Sequence, residues 1–170
     1  ANGTGFSTSS DSFGNLTAAD IRQTFLGIKG QARMVEAVTT TRSENVDGSS
    51  GRQEFRVVTR YDANGRTQNT AGVGTFENND GYGNITTGQT LQEYDLVLLR
   101  TYGQSKVKTQ TTTALTKNLD GSSTRQTTVV NNAYDSDGLL TGVTGDVDFE
   151  GDDGYGNETR GHTWQTYDTN

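Results

Sequence analysis

Slid by 73 residues, the chain lies over itself without a gap: Gly30 falls on Gly103, Tyr61-Asp62 on Tyr134-Asp135 and Phe76 on Phe149. GQARMVEAVTTTRSENVDGSSGRQ from Gly30 aligns with GQSKVKTQTTTALTKNLDGSSTRQ from Gly103. FENNDGYGNITTGQTLQEYD from Phe76 aligns with FEGDDGYGNETRGHTWQTYD from Phe149. About 30 of roughly 77 superposed pairs are identical, and a period of that strength constrains the fold before any local pattern does. It divides the chain into a first unit, 21–93, and a second, 94–166. Residues 1–20 match neither and form a distinct N-terminal segment. Tyr167-Asp168 matches Tyr94-Asp95, so 167–170 start a third copy that stops at once.

The shared positions are mostly turn formers. Asp47-Gly48 and Asp120-Gly121 are hairpin signals, because tight hairpin turns need the positive φ that glycine adopts cheaply. Asn64-Gly65 and Asp137-Gly138 repeat the device, and Asp80-Gly81-Tyr82-Gly83-Asn84 and Asp153-Gly154-Tyr155-Gly156-Asn157 make longer, two-glycine turns. A further reversal is expected near Lys29-Gly30 and Tyr102-Gly103. Each unit then holds four antiparallel strands, about 10–14 residues each.

Between the turns, side chains alternate. Phe55, Val57 and Tyr61 share one parity, opposite Arg52, Glu54, Arg56 and Arg60; Leu139, Val143, Val147 and Phe149 share another. One face is modestly apolar and the other Thr-rich or charged. Thr17–Gln23 is the one stretch that reads as the start of a short helical turn. The expected fold is all-β: an antiparallel meander of about nine strands built from two tandem units.

Composition decides how thick such a fold can be. Only 29% of residues are apolar and the net charge is −7. Thr, Val and Tyr in runs favour pleated backbone over disorder, so the expectation is ordered sheet with little apolar burial. Cysteine is absent, which excludes disulfides and thiolate sites. No apolar run approaches the roughly 20 residues of a membrane helix. The acidic balance argues against a nucleic-acid partner, which needs a basic surface.

TRYDANGRTQ from Thr59 and NAYDSDGLLTGVTG from Asn132 resemble the Tyr-Asp repeats of bacterial surface and toxin-shell proteins. The likeness spans about ten to fourteen residues of each unit, and those families repeat at roughly twenty residues, not 73. The Thr-, Asn- and Gly-rich idiom is also similar to that of large bacterial surface repeat proteins. The resemblance implies antiparallel β-layers, export to the cell surface and a structural role, and it transfers no catalytic residue.

Side chains with chemistry are few. Asp80, Asn84, Asp152, Asp153 and Asn157 gather oxygens in the long turns and are candidate calcium ligands, although the spacing is not that of an EF-hand loop. Asp and Asn also occupy turns simply because they bond their own backbone there. His162 is the one histidine, beside Trp164 on a strand and without a partner at catalytic spacing. No other cofactor is indicated, no catalytic group stands out, and the chain is not expected to be an enzyme. Tyr82, Tyr155 and Trp164 are candidates for stacking on a sugar.

A thin sheet with unguarded edges templates pairing with other chains. The sequence therefore predicts a structural subunit of an extracellular filament or surface layer, its partners copies of itself. Residues from about 3 to 16 of one copy would add as a strand to an open edge of the next. Phe6 and Phe13 of that segment, with Tyr94 and Tyr167 at the repeat junctions, are the expected assembly residues. The alternative is a carbohydrate- or surface-binding module of a larger adhesin, with a cell-surface glycan as ligand.

Overall fold

A computed structural model describes residues 1–167. The chain folds into one ten-stranded antiparallel sheet in strictly sequential order, each strand bonded to its neighbours in the chain. The strands are β1 (Asn2–Ser10), β2 (Leu16–Ile28), β3 (Gln31–Glu44), β4 (Ser50–Tyr61), β5 (Thr67–Asn79), β6 (Ile85–Tyr94), β7 (Val107–Lys117), β8 (Ser123–Tyr134), β9 (Leu140–Asp152) and β10 (Glu158–Tyr167). A short helix, α1 (Leu96–Tyr102), joins β6 to β7. The all-β meander is as expected; the strands number ten instead of about nine. The difference lies in the N-terminal segment, which reverses at Asp11–Asn15 and supplies β1 and the first half of β2.

The turns fall where glycine and Asx residues place them. At Lys29-Gly30 both residues have positive φ, 49° and 77°, the requirement of a two-residue hairpin that follows the twist of its strands. Most other reversals are five-residue loops closed by a bond from the first N–H to the fifth carbonyl, as in Asn45→Ser49 at 2.9 Å and Asn118→Ser122 at 2.9 Å. Two local expectations fail. Thr17–Gln23 is extended within β2, paired on both sides, because β1 and β3 satisfy its backbone. Tyr102-Gly103 is not a hairpin but the end of α1.

That helix has clear causes. The Asp95 carboxylate caps it by accepting from Val97 N (2.9 Å) and Leu98 N (3.0 Å). Gly103, at φ 71°, ends it in the left-handed conformation, its N–H bonded to Leu99 O. Leu98 and Leu99 are buried where α1 packs on β5, and Arg100 Nε donates to Gln68 O (2.8 Å). They are the buried hydrophobic side chains among the described residues.

Elsewhere one layer must serve as its own core. Phe55 lies over Gly72 and Gly74 of the next strand, Phe76 over Gly88, and Phe149 over Gly161. In each case the ring fills the space that a Cβ would take, the cross-strand pairing by which an aromatic side chain compensates a strand glycine. Tyr61 OH donates to Met34 O (3.0 Å), and Tyr134 OH to Val107 O (2.9 Å). The chain exposes 11192 Å², whereas a compact monomer of 18.3 kDa would expose about 8,100 Å². Among the described residues only α1 packs on this single sheet.

Candidate functional site

The sheet ends on two strands with a free side each, β1 and β10. β1, NGTGFSTSS, carries no charge, no proline and no bulge. Those are the devices that ordinarily blunt an edge. Of the segment from about 3 to 16 expected to act as a donor, residues 3–10 are bonded to β2 of the same chain while the outer side of β1 stays open; 11–15 form the turn, and Leu16 begins β2 itself. Phe6 stands at 83% exposure on one face of this edge.

The opposite edge is chemically richer. Trp164 is 63% exposed and sits across from Asp146, while His162 sits across from Asp148. The imidazole Nδ1 is 2.9 Å from Asp148 Oδ1 and 3.6 Å from Asp146 Oδ1. The Asp148 hydrogen bond and the Asp146 charge hold the His162 pKa above the ordinary imidazole value. Arg160 lies 3.6 Å from Glu150 and 3.3 Å from Glu158. Tyr167 closes β10, its hydroxyl donating to Gln165 Oε1. Residues 168–170 of the expected third copy lie outside the described residues. Tyr94, by contrast, ends an interior strand, half-buried, with β5 and β7 on either side. The four expected assembly residues therefore divide: Phe6 and Tyr167 on opposite edges, Phe13 on a turn, Tyr94 inside.

Five turns share one end of the sheet, and each presents a large exposed side chain: Phe13, Val46, Tyr82, Leu119 and Tyr155. Tyr82 and Tyr155 belong to turns four strands apart, about 19 Å at the usual strand spacing. Trp164 lies part-way along β10. These three aromatic side chains do not converge on one platform.

The candidate calcium ligands likewise separate into two turns. Asp80 Oδ1 accepts from Tyr82 N (2.8 Å) and Asn84 N (3.1 Å), while its Oδ2 accepts from Asn84 Nδ2. Asp153 repeats this with Tyr155 N (2.9 Å), Asn157 N (3.1 Å) and Asn157 Nδ2 (2.6 Å). Asp152 Oδ1 accepts from Gly154 N at 2.6 Å. The bond from Tyr82 N lowers the Asp80 pKa most, and that from the Asn157 side chain the Asp153 pKa. Each carboxylate faces its own turn.

The same turn occurs a third time, at Asp11–Asn15. Asp11 Oδ1 accepts from Phe13 N (2.9 Å) and Asn15 N (3.0 Å), and Asn15 Nδ2 donates to Asp11 Oδ2 (2.8 Å). Sequence reading missed it, although the signal is present: DSFGNLT from Asp11 parallels DGYGNIT from Asp80 and DGYGNET from Asp153. The exact-offset comparison hides it, because Asp11 precedes Asp80 by fewer than 73 residues. No protein-family model, curated protein or solved structure matches the chain. No helix among the described residues is long and apolar enough to cross a membrane.

Proposed function

We propose that this protein is a structural subunit of an extracellular filament or surface layer, two tandem copies of a four-stranded unit that polymerise head to tail by strand addition. One observation carries the reading: a single-layer sheet that leaves β1 and β10 each unpaired on one side, β1 without charge, proline or bulge, and exposes about 3,000 Å² more than a compact chain of its mass. A stable interface buries roughly 1,200–2,000 Å² in total, so the surplus exceeds what one standard contact covers. A head-to-tail contact uses different surfaces on the two copies and, if it does not close, generates an open filament.

The strand and turn bounds support the tandem reading: β8, β9 and β10 start and end 73 residues after β4, β5 and β6. A scaffold built this way lengthens by repeating one kind of junction. Negative-stain microscopy and sedimentation of the purified chain test the proposal. Filaments or open oligomers are expected, and deletion of residues 1–16 should leave monomers. Filaments that persist undiminished after the deletion would reject strand addition through this segment. The competing reading, a carbohydrate- or surface-binding module, draws on the exposed turn aromatics and expects a monodisperse monomer with saturable glycan binding.

A further inference from the structure

Resting on the head-to-tail reading, the geometry points to one particular junction: β10 of one copy against β1 of the next, antiparallel, with Glu158 opposite Ser10, His162 opposite Phe6 and Trp164 opposite Thr4.

Direction comes first. Strands of a sequential antiparallel meander alternate in sense, so with ten strands β1 and β10 run oppositely. A second copy stacked in the same orientation therefore meets β10 with an antiparallel β1. An odd strand count would have offered a parallel pair, which is slightly less stable per residue. The lengths also match, nine residues in β1 and ten in β10.

Register follows from two junctions inside the chain. The turns Asp11–Asn15 and Asp80–Asn84 are each followed by a strand that pairs with the next one in a fixed way. The first residue after the turn faces the last residue before the following turn: Leu16 with Glu44, and Ile85 with Lys117. Asp153–Asn157 is the third such turn. Its next residue is Glu158, and the last residue before the turn of a following copy is Ser10. This register sets even-numbered residues against even-numbered ones, so each face continues across the junction. Phe6 then stands opposite His162 and diagonal to Trp164, an aromatic cluster assembled from two exposed edges.

A hydrogen bond left open supports the same placement. Asn15 Oδ1 accepts from Val46 N (3.0 Å), and Asn84 Oδ1 from Leu119 N (3.0 Å), in each case from the second residue of the next turn. Asn157 holds Asp153 through its N–H and Nδ2 as the other two hold theirs, but its Oδ1 has no partner among the described residues. In the proposed register the second residue of the next turn is Ser12 of the following copy, whose N–H is also unpaired among the described residues. The glycines agree. A Cβ on Gly14 would meet Val46, and one on Gly83 would meet Leu119, whereas around Gly156 the space is open.

Cysteine pairs test this cleanly, because the chain has none of its own. T8C/R160C places the two thiols opposite each other across the junction; S7C/R160C places them one residue out and on opposite faces. Mild oxidation should convert T8C/R160C into a ladder of covalent oligomers on a non-reducing gel, with loss of the monomer band, and leave S7C/R160C largely monomeric. A ladder strongest in S7C/R160C, or disulfide dimers from T8C alone through β1–β1 contact, would overturn this junction while leaving self-assembly intact. Sedimentation of the unmodified chain separates the two failures. Oligomers without a T8C/R160C ladder reject the register, and monomers at every concentration with no ladder reject the head-to-tail reading itself.

Discussion

The strands β3–β6 and β7–β10 have the same turns and nearly the same bounds, yet they hold themselves together differently. Conserved contacts sit at the ends: the Tyr61–Met34 bond recurs as Tyr134–Val107, Arg33 over Tyr61 recurs as Lys106 over Tyr134, and Phe76 over Gly88 recurs as Phe149 over Gly161. The middles diverge. Phe55 and Gly74 of the first half correspond to Thr128 and Val147 in the second, so a ring-on-glycine pair becomes a pair of branched side chains. Val73, Thr75, Gln89 and Leu91 become Asp146, Asp148, His162 and Trp164. Turns fix where a strand reverses and tolerate little change; the open face between them has no second layer to fit and can drift in charge and size. The second half spends that freedom on an edge bearing an ion pair and an exposed indole.

The sharpest way to break the likeness is at Leu26 and Leu99, the same residue at the same position of the 73-residue period. Leu26 is exposed on β2, whereas Leu99 is fully buried in α1. Leu99→Ala should lower the unfolding free energy by about 2–4 kcal/mol, from lost transfer energy and the cavity left behind. Leu26→Ala should change it by less than about 0.5 kcal/mol. Urea titration of the two variants measures the difference, and equal losses would show that α1 is not the apolar anchor of the sheet.

Next come the paired strand glycines. A Cβ at either Gly88 or Gly161 collides with the ring of Phe76 or Phe149, but at Gly88 it also comes within 2.6 Å of Thr113 O, a backbone atom of β7. Gly161 lies on the edge strand β10, where the ring can give way outward. Gly88→Ala should cost about 2–3 kcal/mol and Gly161→Ala about 1 kcal/mol, within the usual range for overpacking. Urea midpoints in the opposite order would mean that the ring, not the neighbouring backbone, sets the cost.

A smaller contrast belongs to the turns. Asp80 and Asp153 make the same bonds, but the Asp80 turn also holds Leu119 N through Asn84, while nothing among the described residues lies beyond the Asp153 turn. At concentrations where the chain is monomeric, Asp80→Ala should lower the melting temperature more than Asp153→Ala. Both carboxyl pKa values are held below 3.8 by their turn bonds. Their contribution is therefore complete above that value and disappears as pH falls through the depressed pKa values. Stability should drop on acidification below about pH 4, less steeply in D80A. Saturating EDTA should leave the melting temperature unchanged, since these oxygens already accept from their own loops; a fall reversed by calcium would reassign them as ligands.

Much of this was legible in the residues themselves, and the misses have physical reasons. Asp-Gly and Asn-Gly steps announced the reversals because positive φ is a local demand that only a few residues meet. The low apolar fraction announced a thin structure. Helix α1 was hidden because Leu96–Tyr102 has β-permissive residues and no stripe long enough to show a period, though Asp95, Arg100 and Gly103 form a complete set of start and stop signals. The partners of His162 could not be found by spacing along the chain. Asp148 and Asp146 reach it across a strand pair whose register is fixed by the turn at 153–157.

That ion pair gives the weakest effect and the most specific one. Position 89 of the first half is Gln, with Thr75 opposite, so a pH-dependent term of this kind belongs to the second half alone. The His162 pKa is raised in the folded chain, so its protonated form is favoured by folding. The contribution is complete below the unfolded value of about 6.5 and is lost as pH rises through the elevated folded pKa. His162→Gln, which restores the residue of the first half, should remove this small decline in melting temperature as pH rises above the unfolded value. Asp148→Asn should bring the imidazole titration, followed by NMR, down toward the ordinary value. Because the side chain is exposed, added salt should shrink both effects. An imidazole titrating at about 6.5 in the unmodified chain would show that the β9–β10 register does not hold the two charges together.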